Sequence, residues 1–128
     1  MIKLLRQHLK NNTNLMSMLD TDNSIFYIDK PVKCDDKTYL VIKDKLVGFD
    51  YIKDVQLIFH IVSPAPQSCK KIEEELINYL HDERGQIIIR DKENKDNFIT
   101  NIRVLNGGGT IRTPENDYLT VVYFIAKI

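Results

Sequence analysis

The last eleven residues of the chain form a strand-like run that is apolar on both faces. Successive side chains of a strand point to opposite faces. One face of this run carries Leu119, Val121, Tyr123 and Ile125, and the other carries Thr120, Val122, Phe124 and Ala126. Such a strand needs cover on both sides, but the sequence offers only enough helix to cover one face of a small sheet. The uncovered face is therefore predicted to contact another copy or a partner.

The pattern does not decide which of the two faces is covered by helices. We assign the first face to the contact between copies, so the predicted oligomer interface consists of Leu119, Val121, Tyr123 and Ile125. A charge on the other face, for example at Phe124, is then expected to unfold the domain.

Length and charge limit the class of protein. The 128 residues suffice for one domain with its own core, residues 1–128. Lysine plus arginine and aspartate plus glutamate number 18 each, so no overall basic field attracts nucleic acid. The N-terminal segment matches neither a signal peptide nor a membrane span, so we expect a soluble protein made in the cytoplasm, without a membrane partner.

The two cysteines, Cys34 and Cys69, have no second ligand at metal-binding spacing. This disfavours a zinc site and favours a reduced intracellular protein, although the sequence leaves a disulfide between them open.

Hydrophobic periodicity predicts one long helix and a short, broken N-terminal helical segment over residues 2–19. The long helix follows Ser63-Pro-Ala-Pro, in which Ser63 is the expected cap, and Gly85 is the expected end. Asp82 is expected on its solvent-facing side. The predicted buried stripe consists of Cys69, Ile72, Leu76, Ile77 and Leu80.

Runs of β-branched and aromatic residues predict strands at residues 38–43, 54–63, 86–90, 98–105 and 118–128. A turn is expected at Gly48-Phe49-Asp50. Residues 20–36 are expected to form an arm or a sheet edge outside the core, with a short extended piece at residues 25–28. The predicted class is α+β: a mostly antiparallel sheet of four to five strands, with one long and one short helix on one face.

Two polar loops, residues 91–97 and 106–117, are predicted to carry the contacts with partner proteins. Three consecutive glycines make the second loop costly to order, so it is expected to become fixed on assembly. Because this loop leads to a strand and not into a helix, a phosphate cradle is disfavoured. The predicted contact residues are Lys92, Glu93, Lys95, Gly107, Gly108, Gly109 and Arg112.

The sequence contains no recognisable catalytic, metal-binding or cofactor-binding pattern. His60 lies on one face of its strand without a recognisable nucleophile or acidic partner, so it is predicted to be a partly buried structural histidine. Residues 73–75 are consecutive glutamates, which point about 100° apart on a helix and do not converge on a metal. We therefore expect a protein without enzymatic activity or cofactors.

The order of elements resembles the tail terminator, or tail completion, family of long-tailed phages with non-contractile tails. The matching features are the Leu-Leu-Arg-Gln-His-Leu helix, the Tyr39-Leu-Val-Ile strand, and the run from Val55 to Ser63 that leads into the helix ending Ile77-Asn-Tyr-Leu. A charged loop, a strand and the closing apolar strand complete the match.

This resemblance implies a homohexameric ring at the head-proximal end of the tail tube, assembled in the host cytoplasm and located in the virion tail. The ring would stop tube polymerisation and join the head. Its partners would be further copies of itself, the major tail tube protein and a head–tail neck protein, with DNA only passing through the lumen.

Two other hypotheses for the function remain open. One is a small non-enzymatic module that binds a protein through an exposed sheet face. The other is a nucleic-acid-binding α+β domain, which the balanced charge and the lack of a stacking motif disfavour.

Overall fold

Three helices and six strands form the described part of the chain, residues 1–21, 23–48 and 53–128, in this computed structural model. The elements in chain order are α1 (Ile2–Lys10), α2 (Thr13–Met18), β1 (Ile25–Tyr27), β2 (Tyr39–Leu46), β3 (Asp54–Ser63), α3 (Pro66–Leu80), β4 (Ile88–Arg90), β5 (Phe98–Arg112) and β6 (Tyr118–Lys127). Of the predicted turn at Gly48-Phe49-Asp50, only Gly48 lies within the described residues.

The six strands form one sheet in the order β1-β2-β3-β6-β5-β4. Four neighbouring pairs are antiparallel, and the β1–β2 pair is parallel. The predicted combination of helices with a sheet is confirmed, whereas the predicted four to five strands and two helices are too few. The sequence prediction treated residues 25–28 only as an extended piece, because three residues are too short for periodicity to mark a strand.

The core lies between the helices and one face of the sheet. Phe59 and Phe124 are fully buried on that face, where their ring centroids are 5.4 Å apart in an edge-to-face arrangement. The β6 residues on the same face are Thr120, Val122, Phe124 and Ala126. The helical residues in this core include Leu5, Leu9, Leu15, Cys69, Ile72, Leu76 and Leu80, so all but Ile77 of the predicted α3 stripe is buried.

The edge strand β1 contributes to this core. Ile25 is fully buried, although the residues around it were predicted to lie outside the core. Pairing with β2 directs the Ile25 side chain inward, and this follows from a contact 15 positions along the chain, between Ile25 and Leu40.

Both predicted ends of the long helix are wrong. Ala65, and not Ser63, is the N-cap residue. Ser63 is instead the buried last residue of β3, and its hydroxyl lies 3.1 Å from the Thr38 hydroxyl and accepts the Ala65 amide at 3.3 Å. At the other end, the helix stops at Leu80 because His81 has extended backbone angles.

Asp82 explains why the helix ends before Gly85. Its side chain is only 6% exposed, contrary to the predicted solvent-facing position. Its carboxylate accepts the Ile87 amide at 2.7 Å, and its own amide donates to the Ile102 carbonyl at 2.9 Å. The hydrogen bond from the Ile87 amide is the main cause of the lowered pKa of Asp82. Gly85, with φ +64°, lies within the resulting turn.

Candidate subunit interface

The sheet has a second face, directed away from the helices, which we call the open face. Leu119, Val121, Tyr123 and Ile125 all lie on it, as β6 residues that alternate with the core residues. They are half-buried, whereas their core-side neighbours are buried. The structure therefore decides the question that the alternating pattern left open, because it places the face of Phe124 in the core. The role of the four residues as an oligomer interface remains a prediction.

Strand β3 extends the apolar surface of the open face. Its residues Val62, His60, Ile58 and Gln56 pair with Leu119, Val121, Tyr123 and Ile125, respectively. Towards the β1 end, Phe26 and Tyr39 pack with ring centroids 5.9 Å apart, and the Lys30 ammonium lies 5.0 Å from the Tyr39 ring centroid. At the opposite corner, Lys127 and Asp54 form an ion pair of 3.1 Å. An apolar centre with a polar margin is the usual organisation of a protein–protein interface.

His60 lies in the middle of this face, between Val41 and Val121. Burial, and to a smaller degree the charge of Lys43, lowers its pKa below the ordinary 6.5, so the imidazole is neutral at pH 7. It is half-buried, as predicted from the sequence. The arrangement fits a neutral side chain that contributes to packing.

We expect the pH dependence of stability to report on this site. Since folding lowers the pKa of His60, the folded state binds fewer protons than the unfolded state below about pH 6.5. The contribution is fully present above that pH and is lost as the pH falls through the lowered pKa. His8, whose pKa burial also lowers, acts in the same direction.

The variant His60→Gln should remain folded and should lose less stability than the parent protein between pH 7 and pH 5. Urea unfolding at several pH values measures this difference. An unchanged pH slope would contradict the assignment, and His8→Gln provides the control for the second histidine.

The three glycines lie in a strand, and the predicted irregular loop at residues 106–117 is wrong. Strand β5 continues through Gly107, Gly108 and Gly109 to Arg112, so these predicted contact residues all belong to it. The remaining turn is short and is closed by the Thr113 amide, which donates to the Asp117 carbonyl at 2.8 Å. The prediction that this segment becomes ordered only on assembly depended on a flexible loop, and the strand removes that reason.

Pairing with β6 explains why glycine fits here. A Cβ atom on Gly108 would lie 3.0 Å from the Val121 carbonyl oxygen, and backbone at that distance cannot move aside easily. Gly109 has φ +73°, which glycine adopts without strain. A register shift interrupts the ladder between Gly107 and Thr110. Glycine at these positions is thus a property of an irregular strand pair, which sequence patterns do not distinguish from a loop.

The other predicted contact segment, residues 91–97, is an ordered turn with exposed Lys92, Glu93 and Lys95. The Asp91 carboxylate accepts the Glu93 amide at 3.0 Å and the Asn97 side-chain amide at 3.3 Å, and these bonds lower its pKa. This turn comes before β5 in the chain, and Arg112 is the last residue of β5. The structure therefore places the two sets of predicted contact residues at opposite ends of one strand.

Both cysteines are free thiols, and burial raises the pKa of Cys69. Within residues 1–21, 23–48 and 53–128, no group of three or more His, Cys, Asp or Glu side chains is arranged to hold a metal ion. In the same part of the chain, no helix has the length and apolar character that crossing a membrane requires.

Comparison with known proteins identifies a shared fold. No family model matches the chain, and no curated protein does. Among solved structures, the chain is similar to a chain in the virion of a native gene transfer agent particle. The TM-score is 0.65 at 12% sequence identity, and the alignment covers 94% of this chain and 88% of that chain. The likeness therefore extends over nearly the whole sheet and its helices, and at this identity it shows the fold.

Proposed function

We propose that this protein is a structural protein of a phage virion and that it acts as a tail terminator. The observation that carries the proposal is the fold shared with a virion chain over 94% of the present sequence. The order of elements, which resembles the tail terminator family, supports the finer assignment. The half-buried apolar residues of the open face provide a surface that an assembly would cover.

In this proposal the protein forms a ring, by family resemblance a homohexamer, at the head-proximal end of the tail tube. The ring stops the polymerisation of the major tail tube protein and offers a surface to a head–tail neck protein. DNA contacts it only by passing through the lumen. This activity is geometric: contacts that repeat around a closed ring give it two different surfaces, one for the tube and one for the head. It requires no catalytic group and no cofactor.

A second candidate function is a protein-binding module that uses the open face without forming a ring. The apolar centre of that face, with Ile58 and Tyr123 as neighbours, favours it equally. The two functions differ in the mass of the assembled protein, since a ring contains several copies and a module binds its partner as a single copy.

The test is a phage from which this gene has been deleted. We expect tails of uncontrolled length that do not join heads, and an infectious titre that is restored by the gene in trans. Electron microscopy of tails and plaque counts measure both effects. The variant Glu74→Lys, on the exposed side of α3 and away from the open face, is the control, and we expect it to restore the titre fully. Tails of normal length joined to heads in the deletion phage would overturn terminator activity.

A further inference from the structure

The sheet ends in two stepped edges. At one end, β1 pairs only with residues 40–42 of β2, so residues 43–46 of β2 extend beyond it. At the other end, β4 pairs only with residues 98–100 of β5. The next part of the β5 edge is covered by the segment after α3, since the Ile102 carbonyl accepts the Asp82 amide and the Val104 amide donates to Nδ1 of His81.

Beyond Val104, the outer edge of β5 lacks a neighbouring strand in the described part of the chain over residues 105–112. Natural sheets normally keep their edges short, charged or covered, because a long free edge pairs readily with another chain. The two outermost strands here, β1 and β4, have three residues each and follow that rule. The exposed stretch of β5 is longer, at eight residues, and its pairing with β6 is irregular, with register shifts between Val104 and Asn106 and between Gly107 and Thr110.

The register across the sheet shows that the two steps are complementary. One row joins Ile25, Leu40, Ile61, Thr120 and Thr110, and the row two positions along β1 joins Tyr27, Ile42, Phe59, Val122 and Gly107. The row between them, that of Phe26, ends at Val121, where the register of β5 shifts. Strand β1 therefore projects at the level where β5 has a free edge. Strand β4 projects at a different level. It pairs beside Thr100, which lies in the row of Lys127 and Asp54, and this row is one position past the end of β2.

The strand directions also agree. Strand β1 runs parallel to β2, and three antiparallel pairings separate β2 from β5, so β1 and β5 run in opposite directions. A second copy placed beside the first in the same orientation would bring its β1 antiparallel to residues 107–110 of the first. Antiparallel pairing satisfies the backbone groups of a free edge.

The exposed large apolar side chains of the described residues lie at these two ends of the sheet. At the β1 end they are Tyr27, Ile28, Val32, Leu46 and Val47, and at the β4 end they are Ile87, Ile88, Leu105 and Ile111. Ile28, which is 58% exposed, follows the last residue of β1, at the level of the row that joins Lys43 to Asn106. Its φ of +70° and the Asp29 amide, which donates to the Tyr27 carbonyl at 2.8 Å, turn the chain at this point. Leu105 is 52% exposed. Val47 and Ile88 share a level at opposite edges of the sheet, because the Val47 amide donates to the Asp54 carbonyl and Asp54 is in the row of Lys127, Thr100 and Ile88.

From these observations we infer that copies of this chain join edge to edge, with β1 of one copy pairing with residues 107–110 of β5 in the next. The inference rests on the proposed ring. Because two different edges meet, the contact is heterologous and propagates from copy to copy, as closure into a ring requires. The open faces of all copies then point to the same side of the ring, which leaves them available for a different protein.

The test uses charges at the matched pair Ile28 and Leu105. Each single variant, Ile28→Lys or Leu105→Glu, buries a lone charge in every contact and should weaken self-association at least about tenfold. The double variant Ile28→Lys/Leu105→Glu brings the opposite charges together in every contact and should restore assembly. Glu74→Lys on the exposed side of α3 is the control. Since both positions are exposed in one copy, thermal unfolding should be unchanged.

Two measurements are made on each variant: the mass of the purified protein by sedimentation, and the titre that it restores to the deletion phage. Loss in both singles and recovery in the double variant support the edge contact. Single variants with parental mass and titre, or folded double variants without recovery, overturn it. A titre that does not depend on the protein at all overturns the proposed function instead.

Discussion

The variant Phe124→Asp is expected to yield no folded protein, whereas Tyr123→Asp is expected to fold and to fail in tail assembly. Phe124 is 0% exposed and packs against Phe59. Loss of the buried ring and burial of an unpaired carboxyl group together cost an amount comparable with the roughly 5–15 kcal/mol that stabilises a typical domain. Tyr123 lies one position away on the open face, where a carboxylate remains hydrated in the isolated copy. Circular dichroism and the titre restored to the deletion phage measure the two outcomes.

Tyr123→Phe is the matched control for the open face, because phenylalanine keeps the aromatic ring of the side chain and its apolar area. It should retain folding and most of the titre. The mass of Tyr123→Asp then separates two roles of the face. A monomeric mass assigns Leu119, Val121, Tyr123 and Ile125 to contacts between copies, and an intact ring assigns them to contacts with another protein. A Tyr123→Asp protein that restores the full titre would contradict any contact role for this face.

Removal of the Phe59 ring is expected to cause the largest loss of stability among variants that still fold. Phe59 is fully buried, and its ring contacts Phe124 edge to face. Truncation of a buried phenylalanine to alanine removes its transfer free energy and leaves a cavity, which together cost about 3–5 kcal/mol. Urea unfolding of Phe59→Ala at pH 7 measures the change.

Ile58→Ala is the control for that measurement, since Ile58 is the neighbouring residue on the half-buried open face. Its loss should be about 1 kcal/mol, the usual size for a single substitution that leaves no large cavity. Equal losses for the two variants would mean that the two faces are covered to the same degree in the isolated copy, contrary to the structure.

Elements with strong local patterns were predictable. The predicted buried stripe of α3 is confirmed for Cys69, Ile72, Leu76 and Leu80, which recur at helical spacing, whereas the fifth predicted member, Ile77, is only half-buried. The strict alternation of β3 likewise predicted a strand over residues 54–63, with the bounds that the structure shows. In both cases the signal lies within one element and does not depend on what packs against it.

Elements that depend on distant partners were not predictable in the same way. The end of α3 is determined by Asp82, whose backbone amide binds the Ile102 carbonyl 20 positions further along the chain. The glycines of β5 form a strand because β6 pairs with them, as the close approach of Gly108 to Val121 shows. Local composition at these positions favours a longer helix and a loop, and tertiary contacts override it.

The sequence by itself determined that β6 is apolar on both faces and that one of them needs cover beyond the helices, since alternation along a strand is a local property. Only the tertiary structure decided that the face of Phe124 is the core and that Tyr123 lies on the open face. It also decided that β1 and the free stretch of β5 occupy the same level at opposite ends of the sheet. Levels and faces depend on the register between strands, which is set by contacts among residues far apart in the chain.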